Sequence, residues 1–314
     1  MKTIKQAVRT LLVFMLIIYC VGVYAQRKEV SCFNDSVEIC PLADKELIDS
    51  CYNLLDRNMM LETDGIYGQI AVVDATTSEV LAWASLEKQL DGDCGWCGDM
   101  VYVPFKKQVC SSDVFVPFIA AKCLEKSNTS LGKIVDTGCG ILEINDSLKI
   151  HDHNWRRGGY GKVTFEKALL MKSRIGMYKA FMTIPNGADL WKQAYDTIQK
   201  SNAIGLAISF NQMYPQRSSL EYVKKIATGI LEKTGIQHRF APRGIKLAGT
   251  YNILQCDDNK RSSDEFTFVG CFPADNPKYT ISMVVIRPHK LPATIGMLSK
   301  EVNQLIEWLM NRNI

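Results

Sequence analysis

The sequence has no long basic run, and its net charge is only +4 over 314 residues. A chain built to bind nucleic acid gathers its cations on one face or in one segment, so that class is excluded. There is no internal repeat and no low-complexity tract, which argues against solenoids and disordered polymers. No apolar run reaches the roughly 20 residues of a bilayer-spanning helix. No Cys or carboxylate group stands at zinc spacing beside His151-Asp152-His153, so that triplet reads as a solvated loop and no metal is expected. No cofactor motif is evident either. What remains is ordinary globular composition, 47% hydrophobic and 22% charged, with 5 Trp, 12 Tyr and 12 Phe to fill a core.

Lys2, Lys5 and Arg9 precede an uncharged apolar run from Leu11 to Val23, and Val23-Tyr24-Ala25 resembles a small-residue cleavage site. This is the pattern of a secretory signal over residues 1–25. A retained signal anchor is the alternative, and membrane association is expected only in that case. Bulky Tyr19 before Cys20 argues against a lipoprotein. Cleavage would lower the net charge from +4 to +1. Export also suits the cysteines. Ten of 11 lie beyond the signal, at 32, 40, 51, 94, 97, 110, 123, 139, 256 and 271, an even number that predicts disulfides of unspecified pairing. Cys94-Gly-Trp-Cys97 is flanked by Asp91-Gly92-Asp93 and Gly98-Asp99, which is loop chemistry. A local disulfide fits that context better than a thioredoxin-like redox site.

Apolar residues at Leu47, Ile48, Cys51, Leu54, Leu55 and Met59 predict a helix over 44–62. Gly68–Asp74 and Glu79–Ser85, joined by Ala75-Thr-Thr-Ser78, predict a β-hairpin. Residues 87–113 read as loop. Pro117–Lys126, Thr164–Met171 with Thr164 as cap, and Leu220–Leu231 predict helices. Ile245–Leu254, Phe266–Cys271 and Tyr279–Ile286 predict three consecutive strands, and Thr294–Asn311 a closing amphipathic helix. The fold class is therefore α+β: an antiparallel five-stranded sheet flanked by helices, with an inserted helical subdomain over about 114–240. The expected organisation is signal 1–25, linker 26–43 and a single domain 44–314. No accessory module is expected before that domain.

Several segments now resemble one family. Gly68–Asp74 with Glu79-Val-Leu-Ala82 is similar to the first hairpin of penicillin-binding protein transpeptidase domains, whose fold is shared with serine β-lactamases. Val116–Ala121 resembles the helix carrying their nucleophile. Asp136-Thr-Gly138, Gly158-Gly159 and Thr164–Gly176 resemble the approach to their second motif. Phe268–Tyr279 resembles their fourth strand and the turn after it. The resemblance runs over about 44–312 and implies a bacterial envelope or periplasmic location.

The family's reactive side chains are not at the matching positions. Its Ser-x-x-Lys places a lysine amine one helical turn from the serine hydroxyl, where it can take the proton during acyl transfer. With register set by Pro117-Phe118, those positions hold Asp113 and Val116. Ser112 is the fallback nucleophile, but Phe115 stands three residues on. The Ser-x-Asn position is Lys172-Ser173-Arg174. The literal Lys233-Thr234-Gly235 follows a helix and is a decoy. Leu247-Ala248-Gly249 is the better counterpart, and Lys246 would face the opposite side of the strand.

Two readings follow. One is a pseudoenzyme that binds a peptidoglycan stem peptide or an envelope protein through Asp113, Lys172, Arg174 and Thr250. In it, Asp113 pairs with one of the two cations, while backbone N–H groups of Asp113 and Thr250 keep the oxyanion hole. Its bland version leaves those side chains in solvent. The other is an active acyl-serine transpeptidase or penicillin-binding enzyme with Ser112 or Ser173 recruited. β-Lactam acylation separates the two. A disulfide or redox scaffold on Cys94 and Cys97 is a third idea.

Overall fold

Asp44 opens the first helix by accepting from the Leu47 backbone N–H at 3.2 Å, and α1 runs over Lys45–Arg57. It buries Leu47, Cys51 and Leu55 on one face. A π-helical turn, Asn58–Thr63, follows, ending at Asp64 in the left-handed region. The hairpin β1 (Tyr67–Asp74) and β2 (Val80–Lys88) is next, its turn held by Asp74 Oδ1 accepting from Thr76 N and Thr77 N at 2.8 and 2.7 Å. The computed structural model describes residues 44–89, 100–103, 114–126, 130–145, 148–187, 189, 202–214, 221–258, 261–289 and 293–312. The signal, the linker and the Cys94/Cys97 motif lie outside the described residues. Among those described, no helix is long and apolar enough to cross a membrane.

After β3 (Met100–Tyr102) the insert begins. It contains α2 (Val116–Lys126), β4 (Ile134–Asp136), β5 (Ile141–Asn145), β6 (Leu148–His151), β7 (Lys162–Thr164), α3 (Phe165–Leu170), α4 (Arg174–Phe181), α5 (Ala203–Met213), α6 (Glu221–Lys233) and the short α7 (Gln237–Phe240). The chain then returns through β8 (Ala248–Asp258), β9 (Arg261–Phe272) and β10 (Tyr279–Pro288) and closes with α8 (Ser299–Asn311). The main sheet is antiparallel in the order β3-β2-β1-β10-β9-β8, so the first and last long strands meet at its centre. β1 is therefore covered on both faces, and its side chains are buried almost without alternation.

Two hydrophobic layers result. On one face Ile70, Val72, Phe268, Ile281 and Met283 pack with Leu47 and Leu55 of α1 and Val302, Leu305 and Leu309 of α8. On the other, Ala71, Val269 and Val284 meet the insert through Phe115, Phe118, Phe165, Leu169 and Phe210. Each fully buried large side chain contributes about 1.5–3 kcal/mol to this packing. Polar contacts fix α5 to the sheet: Ala203 N donates to Gln69 Oε1 at 2.8 Å, and Asn211 Nδ2 donates to the Asp74 carbonyl at 3.0 Å.

The five long strands are the five expected. The 87–113 loop reading needs correction, because β2 continues to Lys88 and Met100–Tyr102 pairs along Leu86–Lys88 as a sixth, edge strand. Three residues carry too little alternation to announce a strand. The insert is likewise not purely helical: β4 pairs with β7, and β5 with β6. Among the described residues, Cys51, Cys139 and Cys271 are free thiols. Cys51 and Cys271 lie in the two core layers, where burial raises their pKa far above the ordinary thiol range, so they behave as small apolar side chains.

Candidate binding site

The counterparts of the family motifs converge on β8. Thr250 is fully buried, and its hydroxyl donates to the Val114 carbonyl at 2.9 Å, tying β8 to the chain entering α2. Asp113 and Ser112 immediately precede that point and lie outside the described residues. Val116, in the lysine position, is a partly buried residue packed on the insert core. Its isopropyl group can neither take nor give a proton. Leu247 is fully buried on the other side of the sheet, among Leu231, Phe240 and Phe268. Lys246 pairs with Glu232 at 2.9 Å, a contact that raises its pKa. The literal Lys233-Thr234-Gly235 ends α6, with Gly235 at φ +69° accommodating the stop, and it is on no strand.

Gly249 has a packing reason of its own. A β-carbon there would stand 2.6 Å from the Val269 carbonyl oxygen and 2.9 Å from Gly270 Cα, the backbone of its register partner on β9. Gly249→Ala must push the two strands apart. The expected result is a loss of about 2 kcal/mol, read as a lower urea midpoint at unchanged slope.

The second-motif segment is built around a buried acid. Thr164 caps α3 by accepting from Lys167 N at 3.2 Å. The helix ends with Ser173 N donating to the Ala168 carbonyl at 2.8 Å and Lys172 in the left-handed region at φ +54°. That region costs a side-chain-bearing residue about 1–2 kcal/mol. Lys172 has a compensation: its Nζ donates to the Tyr251 carbonyl and stands 4.0 Å from the centre of the Tyr251 ring. It thus bridges the insert to β8, which replaces the solvent-facing reading for this residue. Arg174, the first residue of α4, is exposed.

Ser173 corrects the reading that recruited it as a nucleophile. It is fully buried as the cap of α4, accepting from Gly176 N at 2.9 Å and donating to Asp152 Oδ2 at 2.8 Å. Asp152 Oδ1 also accepts from Ile175 N at 3.1 Å. The solvated-loop reading of 151–153 therefore fails at its middle residue, which is 1% exposed. The flanking histidines turn outward to different partners. His151 packs edge-on against Trp155 with ring centres 5.2 Å apart, while His153 Nε2 is 2.6 Å from Tyr160 Oη. No cluster of three or more metal-binding side chains exists among the described residues.

Burial lowers the His153 pKa, and the charges of Lys172, Arg174 and Arg157 lower it further against the opposing pull of Asp152. The imidazole is therefore neutral at pH 7. Burial, with Asp152 and Tyr251 adding, pushes the Tyr160 phenol up to about 12. Tyr160 thus stays a neutral hydroxyl, able to donate or accept. Sequence reasoning set His153 aside with its loop and missed Arg157, Tyr160 and Tyr251. The only sequence signal was the glycine run around Tyr160. Gly158, Gly159 and Gly161 all adopt positive φ, and Gly159 is packed so closely on the Cys139–Gly140 peptide that a β-carbon would lie 2.3 Å from it.

No protein-family model and no curated protein matches the chain. Solved structures do. The transpeptidase domain of penicillin-binding protein 3 from Burkholderia pseudomallei matches with a TM-score of 0.64 at 15% identity, over 90% of this chain and 100% of that one. A peptidoglycan synthetase from Bifidobacterium adolescentis matches with a TM-score of 0.63 at 11% identity, over 85% of this chain and 60% of that one. With its sheet order, its helical insert and the meeting of three motif segments at β8, the chain has the fold of the penicillin-binding protein transpeptidase domain.

Proposed function

We propose that this is an exported, catalytically silent transpeptidase-like protein of the bacterial envelope, which binds a peptidoglycan stem peptide or another envelope protein. The observation that carries the reading is where the second-motif side chains go. The Lys172 amine is held on Tyr251, and the only hydroxyl of that segment, on Ser173, is buried in a helix cap between Gly176 N and Asp152. The family's acyl transfer uses a basic amine beside an accessible hydroxyl. Val116 and Leu247, standing where the family places its lysines, supply no replacement. Export rests on the pattern of residues 1–25 and on the solved peptidoglycan synthetase with the same fold.

Intact mass spectrometry of the purified protein, with and without excess benzylpenicillin, tests this. The expected result is no adduct from a folded sample and an N-terminus at Gln26. A stable increase by one β-lactam, mapped to Ser112 or another serine, would establish the active-enzyme alternative instead.

A further inference from the structure

Asp152 joins two cation-bearing segments. Its carboxylate takes Ser173 Oγ and Ile175 N, and its carbonyl accepts from Trp155 N at 3.0 Å, opening the turn Trp155–Arg157. On one side of this joint stand His153, Arg157 and, across a short hydrogen bond, Tyr160. On the other stand Lys172 and Arg174. Arg157 lies in the turn that the Asp152 carbonyl opens, and Arg174 lies between Ser173 and Ile175, both bonded to the Asp152 carboxylate, so hydrogen bonding through one residue brings the two arginine segments together. Both Asp152 oxygens are already occupied by donors of the chain itself. Arg157 and Arg174 are exposed, and neither meets a carboxylate among the described residues.

The surface therefore carries a positive surplus beside a neutral imidazole and a phenol hydroxyl. Guanidinium groups pair with planar or tetrahedral oxyanions through two parallel N–H donors. Lys172 adds field without a free hand, because its amine is engaged with Tyr251. We propose that Arg157 and Arg174 bind an oxyanion, carboxylate or phosphate, over the His153–Tyr160 pair. The site rests on the binding reading above and supplies the chemical class of its ligand. It uses cations of the second-motif segment, and Arg157, His153 and Tyr160 belong to no motif counterpart.

A bound oxyanion also gives His153 a reason to protonate. The groups facing the imidazole are Asp152, Lys172, Arg174, Arg157 and Tyr160. An imidazole changes charge in mildly acidic solution, and a proton on His153 adds one positive charge at the ligand. Binding should strengthen as pH falls.

The test is calorimetric titration of the full chain with N-acetyl-dialanine free acid, with its amide, and with inorganic phosphate. The acid or phosphate is expected to bind about tenfold more tightly than the neutral amide, with Arg157→Ala and Arg174→Ala each weakening it about fivefold. For the free acid, which stays ionised throughout, affinity should rise about threefold between pH 7.5 and 5.5, and His153→Gln should flatten that slope. Tighter acid assigns the site to carboxylates, and tighter phosphate to phosphoryl groups. Equal affinity for acid and amide, no binding of either anion, or unchanged binding by both arginine variants would overturn the site. The penicillin experiment reads a different property. A β-lactam adduct together with anion binding removes the catalytic silence and keeps this site, whereas neither result together removes the site alone.

Discussion

Asp152→Ala is expected to cost the fold about 3 kcal/mol, the sum of two hydrogen bonds to a charged acceptor and the exposure of their donors. Ser173 Oγ at 2.8 Å and Ile175 N at 3.1 Å both lose their acceptor in a place where water is excluded. The damage should be local first. α4 loses the group that orients its cap, and the turn carrying Arg157 loses its anchor. Ser173→Ala should cost less, about 1 kcal/mol, because it removes one cap while the carboxylate still holds Ile175 N. Asp152→Asn should fall between them. Its carbonyl oxygen can still accept one donor, but its NH₂ faces a hydroxyl already engaged by Gly176 N. Urea denaturation of the three variants checks the order. Equal stability of Asp152→Ala and wild type would mean that this joint does not support the insert.

The sheet was legible because its signals are redundant. Ile70 and Val72 alternate with Ala71, Asp74 supplies turn chemistry, and β8 to β10 follow one another as successive β-rich runs. The cap at Thr164 was short-range and equally readable. The site was not. Asp152 sits between two histidines in a polar run, and its burial arises only when α4 docks on the 152–155 turn, over 20 residues away. Lys172 at positive φ is a backbone state that propensity argues against, and only the contact with Tyr251, far along the chain, accounts for it. The pairing of His153 with Tyr160 spans seven residues of glycine-rich turn whose path is set by positive-φ glycines. Long-range polar contacts leave no periodic trace, which is why the fold was read and the chemistry of the site was not.

Asp264→Ala should be the most damaging single change at the far end of the sheet. Asp264 and Arg287 face each other on β9 and β10, with side chains only 3% and 5% exposed. Asp264 Oδ2 accepts from Arg287 Nε at 3.2 Å and Nη2 at 3.1 Å, and Oδ1 stands 2.6 Å from His289 Nδ1. The guanidinium also lies 5.0 Å from the Phe266 ring centre and 3.7 Å from Met297 Sδ. Removing the carboxylate takes two hydrogen bonds from a buried guanidinium, and breaking such a pair from one side costs about 3–5 kcal/mol. Removing both charges should cost much less. Asp264→Ala with Arg287→Met replaces the pair by groups that suit Phe266 and Met297, and it should recover about half of the loss. His289→Gln should change stability by less than about 1 kcal/mol, because that ring is partly in water and an amide can still donate to Asp264. A double-mutant cycle by urea denaturation separates these contributions. Additive losses for Asp264→Ala and Arg287→Met would show that the two side chains do not stabilise one another.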